Sequence, residues 1–232
     1  MIPNVSRVQW PRTHRIIRSL YPPIDLFEDI ADPADWELIA SAEAKTNPRV
    51  RDQIGSIHLV PVERRVAGPG ASWVMAPFCH ASPDRPSRFS DGSFGIYYAG
   101  DRFEVALHET IHHFERFMQA TDEGPGSADF RELAGSIDAN LHDLRGDPRF
   151  AFALDADDYA PSQALARALR DEQESDGIVY PSVRYPAGEA FAAFWPNVVT
   201  LPVQEQHLCY RWDGRRADAY LVYGEPDWRP LA

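Results

Sequence analysis

The sequence predicts a mixed α+β fold, and three features carry this prediction. Apolar residues recur at helical spacing between about Arg102 and Gln119. The segment FGIYYAG at residues 94–100 is rich in aromatic residues and bounded by glycines, which is typical of a strand. Twenty prolines are scattered over the 232 residues and favour short elements. No internal repeat divides the chain, so we expect one domain over residues 1–232.

The first half of the chain is predicted to begin with a short strand, HRIIRSLYPP at 14–23, which its two prolines stop. DPADWELIASAEAKT at 32–46 is predicted to form a helix with proline near its first turn. IHLVPVE at 57–63 and SWVMAPF at 72–78 have the composition of strands, and the turn GPGA separates them.

The longest predicted helix begins where Asp101 and Glu104 form the pattern of a capping box. After it the sequence predicts a strand, a helix, a strand with Pro181 at its end, and a C-terminal hairpin that turns at Asp213-Gly214. The corresponding segments are 130–140, 161–173, 176–185, and the pair 206–212 and 217–223.

Composition narrows the function classes. The net charge of −12 argues against broad binding to a nucleic-acid backbone. No run of about 18 apolar residues is present, so we expect no membrane span. The start MIPNVSRVQWPRTHR has no apolar core of a signal peptide. We therefore expect a cytoplasmic protein in which Cys79 and Cys209 are free thiols.

The motif HETIHH places His108, Glu109 and His112 at the spacing of a zinc protease helix. Two imidazoles one helical turn apart bind Zn²⁺ well, but such a site needs a third protein ligand, for which His142 and Glu132 are candidates. Two alternatives stay open at this point. The histidines lie on the half-exposed side of an amphipathic helix, or only the glutamate is functional.

The window RFSDGSFGIYYAGDRFEVALHE, residues 88–109, resembles the core of the RES domain, a family named for its arginine, glutamate and serine. The family pattern is an arginine, a strand reading Tyr-x-Ala, and a helix that presents a glutamate. Arg88 and Glu109 match its ends. The Tyr-x-Ala pattern selects Tyr97, whereas counting back from the glutamate without a gap selects Tyr98, so both tyrosines are candidates.

Two further blocks match in the family's order. HRIIRSLYPPIDLFED is similar to the opening strand and carries Arg15. SQALARALRDEQ leads into a strand of the form Gly-Ile-x-Tyr-Pro-Ser-x-Arg that carries Ser182. The family-like core covers about residues 12–205, with insertions near 28–56 and 64–87.

The resemblance implies a fold like that of the ADP-ribosylating toxins, with short twisted sheets flanked by helices, and NAD⁺ as the substrate. Arg15 and Arg88 would bind the pyrophosphate, because guanidinium groups pair with phosphate in a bidentate way. Tyr97 or Tyr98 would stack on the cationic nicotinamide ring.

The same resemblance assigns the catalytic groups. Breaking the bond between nicotinamide and ribose builds positive charge on the ribose, and the Glu109 carboxylate would stabilise that charge. Ser182 would orient the substrate, and Ser162, which stands just before QALARAL near the start of the predicted helix 161–173, is a second serine candidate. No metal is needed for this step.

RES proteins are mostly toxins of bacterial toxin–antitoxin pairs. The resemblance therefore implies an NAD⁺-dependent mono-ADP-ribosyltransferase that modifies a cellular protein, for some relatives phosphoribosyl pyrophosphate synthetase. An NAD⁺ glycohydrolase or phosphorylase is the alternative, a zinc hydrolase is more remote, and a non-catalytic interaction module is the remaining hypothesis. The expected partner is an antitoxin with an Xre-like helix-turn-helix part that covers the NAD⁺ pocket. Direct binding to nucleic acid or to a membrane is not expected.

Overall fold

The computed structural model describes residues 1–28, 31–45 and 52–231. The α-helices whose bounds lie within these ranges are α1 Asp25–Glu28, α2 Trp36–Glu43, α3 Ala71–Cys79, α4 Phe103–Gln119 and α5 Ala160–Glu172. Eight strands accompany them: β1 Val5–Arg18, β2 Tyr97–Gly100, β3 Gly126–Asp143, β4 Gly177–Pro181, β5 Glu189–Ala193, β6 Val203–Trp212, β7 Ala217–Val222 and β8 Arg229–Pro230. Short 3-10 turns occur at Ile57–Leu59, Val62–Arg64, Pro148–Leu154 and Pro196–Val198.

The strands form one mixed sheet in the order β1-β2-β5-β4-β3-β6-β7-β8. The β3–β4 pair is parallel and the other pairs are antiparallel. β1 also pairs with β3 along most of its length, so β1, β2, β5, β4 and β3 form a closed ring of hydrogen-bonded ladders. The weak point of this ring is the junction of β1 and β2, where the paired residues are His14 and Gly100.

Three apolar clusters position the helices on the sheet. The first packs α3 against one face of β2 and β5 and includes Tyr97 and Phe191. The second packs α5 against the other face of the same strands and includes Phe89 and Tyr180. The third packs α4 against β1, β3, β6 and β7 around Phe114. The clusters thus place α4 and α5 on different parts of the same sheet.

This architecture confirms the predicted class, a mixed sheet flanked by helices. The predicted helices at 102–119 and 161–173 are confirmed within one residue as α4 and α5. The predicted strand 130–140 is the middle of β3, and the C-terminal hairpin is β6–β7 with Gly214 at φ +98° in its turn. Both cysteines are free, as predicted, and both are buried.

The predicted strands at 57–63 and 72–78 are wrong. The first segment forms two 3-10 turns, and the second lies in the helix α3. Its residues Ala71, Val74, Met75 and Phe78 are buried on one side at helical spacing, which outweighs their strand-like composition. Gly70, at φ +90°, lies within the predicted turn GPGA and is the N-cap residue of this helix, which begins at Ala71.

The predicted capping box is also wrong. Arg102 is the N-cap residue in an extended conformation, and no side chain caps the helix. The Asp101 carboxylate instead accepts a 2.9 Å hydrogen bond from the backbone N–H of Glu189 in β5. It therefore fastens the start of α4 to the sheet.

Other predicted boundaries shift. The strand expected at 14–23 begins at Val5 and ends at Arg18. Within the strand predicted at 94–100, the paired residues are Tyr97–Gly100. The helix expected at 32–46 spans Trp36–Glu43, and its predicted last residue, Thr46, lies outside the described ranges. Among the described helices, none combines the length and the hydropathy needed to cross a bilayer.

Phe114 should be the main anchor of α4. Its ring makes edge contacts with Phe130, Tyr210 and Trp212 at centroid distances of 5.6, 6.0 and 6.1 Å. We expect Phe114→Ala to lower the free energy of unfolding by about 3–5 kcal/mol, because a buried aromatic ring leaves a cavity. Phe117→Ala, one turn further on the exposed side, should change it by less than about 0.5 kcal/mol. Urea unfolding of both variants checks this, and equal losses would contradict it.

Candidate active site

The loop before β2 is folded into a tight turn around Arg88. The backbone of Ser87 donates to the carbonyl of Ser90 at 2.7 Å, and the reverse hydrogen bond is 3.3 Å long. Phe89 is fully buried, with its ring 5.0 Å from the ring of Tyr180 in an edge contact. The turn is thus anchored by one aromatic residue and closed by two backbone hydrogen bonds.

The Arg88 guanidinium is directed toward the segment before α5. It lies 4.7 Å from the centre of the Tyr159 ring, and its Nη1 donates to the carbonyl oxygens of Asp155 and Ala153. Its Nε and Nη2 make no hydrogen bond within the described part of the chain. The Ser162 hydroxyl lies 2.5 Å from the Arg88 carbonyl oxygen and 2.9 Å from that of Tyr159. Ser162 therefore positions the backbone of the arginine.

The two tyrosines of β2 face opposite sides of the sheet, as neighbours in a strand must. The Tyr98 hydroxyl lies 2.9 Å from the Ser87 hydroxyl and accepts a 3.1 Å hydrogen bond from the Phe89 backbone. Burial raises the Tyr98 pKa to about 12. The Tyr97 ring stacks on Phe191 in the first apolar cluster. Tyr98 is thus the tyrosine on the side of Arg88.

Arg15 joins β1 to β2 where their ladder is weakest. Its guanidinium lies 4.6 Å from the centre of the Tyr97 ring, and its Nη1 donates a 2.8 Å hydrogen bond to the Tyr98 carbonyl. Burial lowers its pKa, and its buried Nε has no partner in the described residues. The structure brings Arg15 to the backbone of Tyr98, not to the carboxylate of Glu109.

Glu109 lies on α4 and faces two segments, the loop before β2 and the stretch after β4. Its Oε1 is 3.4 Å from the hydroxyl of Ser182, just after β4. Burial raises the pKa of the Glu109 carboxyl, while the charges of Arg88 and Arg184 oppose that rise. The Tyr180 phenol is buried close to the same carboxylate, and both effects raise its pKa well above the usual value. The carboxyl is therefore partly shielded from water, and the guanidinium groups of Arg88 and Arg184 lie near enough to stabilise its charge.

Sequence reasoning missed Arg184 and Tyr180. Arg184 Nη2 donates to the Ala156 carbonyl at 2.9 Å and lies 3.0 Å from His112 Nε2, while its Nε is buried without a partner in the described residues. The signal was present, because the predicted strand 176–185 carries Tyr180, Ser182 and Arg184 at alternate positions, although the observed strand β4 ends at Pro181 and residues 183–184 form a bend.

The histidines of HETIHH have partners in the protein. His108 stacks on Tyr185 with 5.2 Å between ring centres. Burial, aided by the charge of Arg184, lowers the pKa of His112 to about 4, so this ring is neutral near pH 7. Its Nε2 then accepts the hydrogen bond from Arg184.

The two predicted third ligands for zinc are used elsewhere. Glu132 lies 2.6 Å from His14 Nδ1, and His142 lies 2.8 Å from the Ser175 hydroxyl. Within residues 1–28, 31–45 and 52–231, no three His, Cys, Asp or Glu residues are grouped so as to hold a metal ion. The third-ligand geometry that the zinc hypothesis requires is not formed there.

Replacing Glu109 by glutamine should stabilise the fold at neutral pH. A carboxyl with a raised folded-state pKa is penalised when it ionises, so the wild type loses stability as the pH rises from the usual value of 4.5 through the folded-state pKa. Glu109→Gln removes that penalty. We expect a higher free energy of unfolding for this variant at pH 7 and a smaller difference near pH 4.5, measured by urea unfolding. Glu104→Gln, exposed on the same helix, serves as the control. A destabilised Glu109→Gln at pH 7 would contradict the assignment.

Comparison of the sequence with known proteins identifies the family of this chain. The family model of the RES domain matches residues 62–213, more than half of the chain. A similar protein is the "Uncharacterized protein y4oC" of Sinorhizobium fredii, which is 26% identical over 216 residues, or 92% of this chain and 87% of that protein. Arg88, Tyr98, Glu109 and Ser182 lie within the matched region. The chain belongs to the RES domain family, as its motifs predicted.

Proposed function

We propose that this protein is an NAD⁺-dependent mono-ADP-ribosyltransferase that acts as the toxin of a bacterial toxin–antitoxin system. One observation supports the proposal most. Glu109 is a partly buried carboxylate that Ser182 contacts and that Arg88 and Arg184 face, with Tyr98 on the Arg88 side. This combination suits a substrate that is cationic at its reacting end and anionic at its pyrophosphate.

The unused donors of the arginines suit the pyrophosphate. Arg88 has Nε and Nη2 free within the described residues, and Arg15 has a buried Nε without a partner there. A buried donor without an acceptor is costly, and a phosphate oxygen would satisfy it with a strong charge-assisted hydrogen bond. Arg88 is therefore the pyrophosphate ligand in this proposal, while Arg15, whose guanidinium lies over Tyr97 on the other side of β2, supports the site through the Tyr98 backbone.

Tyr98 supplies the face for the nicotinamide ring. Ser87 and Phe89 hold its hydroxyl from the turn that carries Arg88, which limits rotation of the ring. An aromatic face attracts a cation and stacks on a planar ring. Tyr97 instead supports the first apolar cluster.

Glu109 acts when the bond between nicotinamide and ribose breaks. The ribose then gains positive charge, and a preoriented carboxylate in a site with little water stabilises that charge more than bulk water does. Ser182 keeps the carboxylate oriented through its hydroxyl, and Ser162 keeps Arg88 in place through a hydrogen bond to the arginine's carbonyl oxygen. The bound nicotinamide leaves, and an acceptor side chain of a cellular protein takes the ADP-ribose.

The proposal extends to the partners. The toxin acts in the cytoplasm, and an antitoxin with an Xre-like helix-turn-helix part blocks the NAD⁺ pocket. The net charge of −12 suits a basic partner surface. The acceptor is a protein such as phosphoribosyl pyrophosphate synthetase, bound in part by the segments that precede β2.

Glu109→Gln should abolish nicotinamide release. The amide keeps the shape of the side chain but not its charge, so we expect the rate to fall by at least roughly 100-fold, as for loss of one electrostatic group in an active site. Glu104→Gln should keep the wild-type rate. Release of nicotinamide from NAD⁺ by the purified protein is the measurement, and full activity of Glu109→Gln would remove the proposal.

Labelled NAD⁺ separates transfer from degradation. With the label in the ADP-ribose part and cell extract present, we expect a labelled protein band with the wild type and none with Glu109→Gln. Soluble ADP-ribose or its phosphate as the main labelled product would favour the glycohydrolase or phosphorylase alternative instead.

A further inference from the structure

A cavity of about 340 Å³ lies beside the candidate active site, along the neighbouring side of α4, and the proposed NAD⁺ chemistry gives it no role. Its lining residues come from α4, the segment after β4, the β6–β7 turn and the C-terminal segment: His108, Ile111, His112, Glu115, Arg184, Arg216, Ala217 and Leu231. The cavity is at the small end of ligand pockets, so it suits a small group.

Two guanidinium groups line this cavity from different elements, and both have unused donors. The Nε of Arg184 is buried without a partner in the described residues. The side chain of Arg216 makes no hydrogen bond or ion pair in those ranges. Both groups are permanently charged near neutral pH. In a chain of net charge −12, two arginines that form no ion pair within the described residues line one small cavity, and this points to an anionic ligand.

The nearby carboxylates are already used. Asp213 accepts hydrogen bonds of 2.7 and 2.8 Å from the backbones of Arg215 and Arg216. Asp218 forms a bidentate pair with Arg211 at 2.8 and 2.9 Å. Their charges still reach Arg216, but neither forms an ion pair with it.

Glu115 is the carboxylate of the lining itself. Its Oε1 accepts a 2.8 Å hydrogen bond from the backbone N–H of Ala217, which fastens the base of the β6–β7 turn to α4. This contact holds Arg216, the preceding residue, at the mouth of the cavity. The Glu115 carboxylate also places one negative charge close to the proposed ligand, which weakens anion binding.

The imidazoles complete the lining without opposing an anion. His112 is neutral near pH 7 and accepts from Arg184 Nη2, which fixes the direction of that guanidinium. His108 is held by its stack on Tyr185. Donors therefore converge from two elements, the segment after β4 and the β6–β7 turn, and together they suit an anion with several acceptor oxygens, such as a phosphate group.

We propose that this cavity is a binding site for a phosphate group, either inorganic phosphate or the phosphate of a small phosphomonoester. Arg184 and Arg216 are its charged ligands. The inference does not depend on the proposed NAD⁺ chemistry, because it concerns binding in the absence of NAD⁺.

Isothermal titration of the purified full-length chain tests it. The probes are inorganic phosphate, methyl phosphate and acetate, at constant ionic strength set with chloride and without NAD⁺. We expect saturable binding of one phosphate-type anion per chain and weaker binding of acetate. Tighter binding of methyl phosphate than of inorganic phosphate would identify a phosphomonoester as the ligand, and the reverse would identify the free ion.

The variants use neighbouring residues as controls. Arg216→Gln should weaken phosphate binding by roughly tenfold or more, because it removes a charge-assisted contact. Arg215→Gln removes the same charge from the same turn but does not line the cavity, so it should leave the affinity nearly unchanged. Glu115→Gln should tighten binding, because it removes the negative charge of the lining while its amide oxygen still accepts from Ala217.

Three results would overturn the proposal: no saturable binding of either phosphate, equal weakening by Arg215→Gln and Arg216→Gln, or acetate binding as tight as phosphate binding. Nicotinamide release is measured separately, so failure of phosphate binding and failure of the proposed transferase activity are distinguished.

Discussion

The partial burial of the Glu109 carboxylate is the constraint on which the site depends. A carboxylate in a place with little water is costly, and its raised pKa reflects that cost. The protein offsets it with Arg88 from the loop before β2, and with Ser182 and Arg184 from the segment after β4. Two segments, the loop before β2 and the stretch after β4, must therefore meet at one side chain of α4, and the packing of the helices on the sheet brings them together.

A chain of polar contacts leads from this carboxylate into the fold. Tyr98 is held by the backbone of Phe89, and Ser162 holds the carbonyl of Arg88. These contacts fix the turn without using the Nε and Nη2 donors of the arginine. The fully buried Phe89 gives the turn an apolar anchor. The site thus combines unused charge with a rigid backbone, which is what binding an anion without reorganisation requires.

Much of this was accessible from the sequence, for identifiable reasons. Helix α4 was predictable because its apolar spacing is regular, and the resemblance to the RES family supplied Arg88, Glu109 and Ser182. The segment of α3 was misassigned because its aromatic and branched residues suit a strand, and only packing shows that their burial follows a helix. Arg184 was missed because its role depends on His112 and Ala156, partners that no local pattern reveals. The choice between Tyr97 and Tyr98 likewise needed the two faces of the sheet.

The closed ring of strands has a consequence for biosynthesis. β2 carries Tyr98, yet its long ladder is with β5, and β5 follows α4, β3, α5 and β4 in the chain. A polypeptide leaving the ribosome exposes its N-terminal part first, and pairings between distant segments wait for the later one. Arg88 and Glu109 emerge long before Ser182 and the strand that secures β2. The order of translation therefore keeps the constellation incomplete until the segment through β5 has been made.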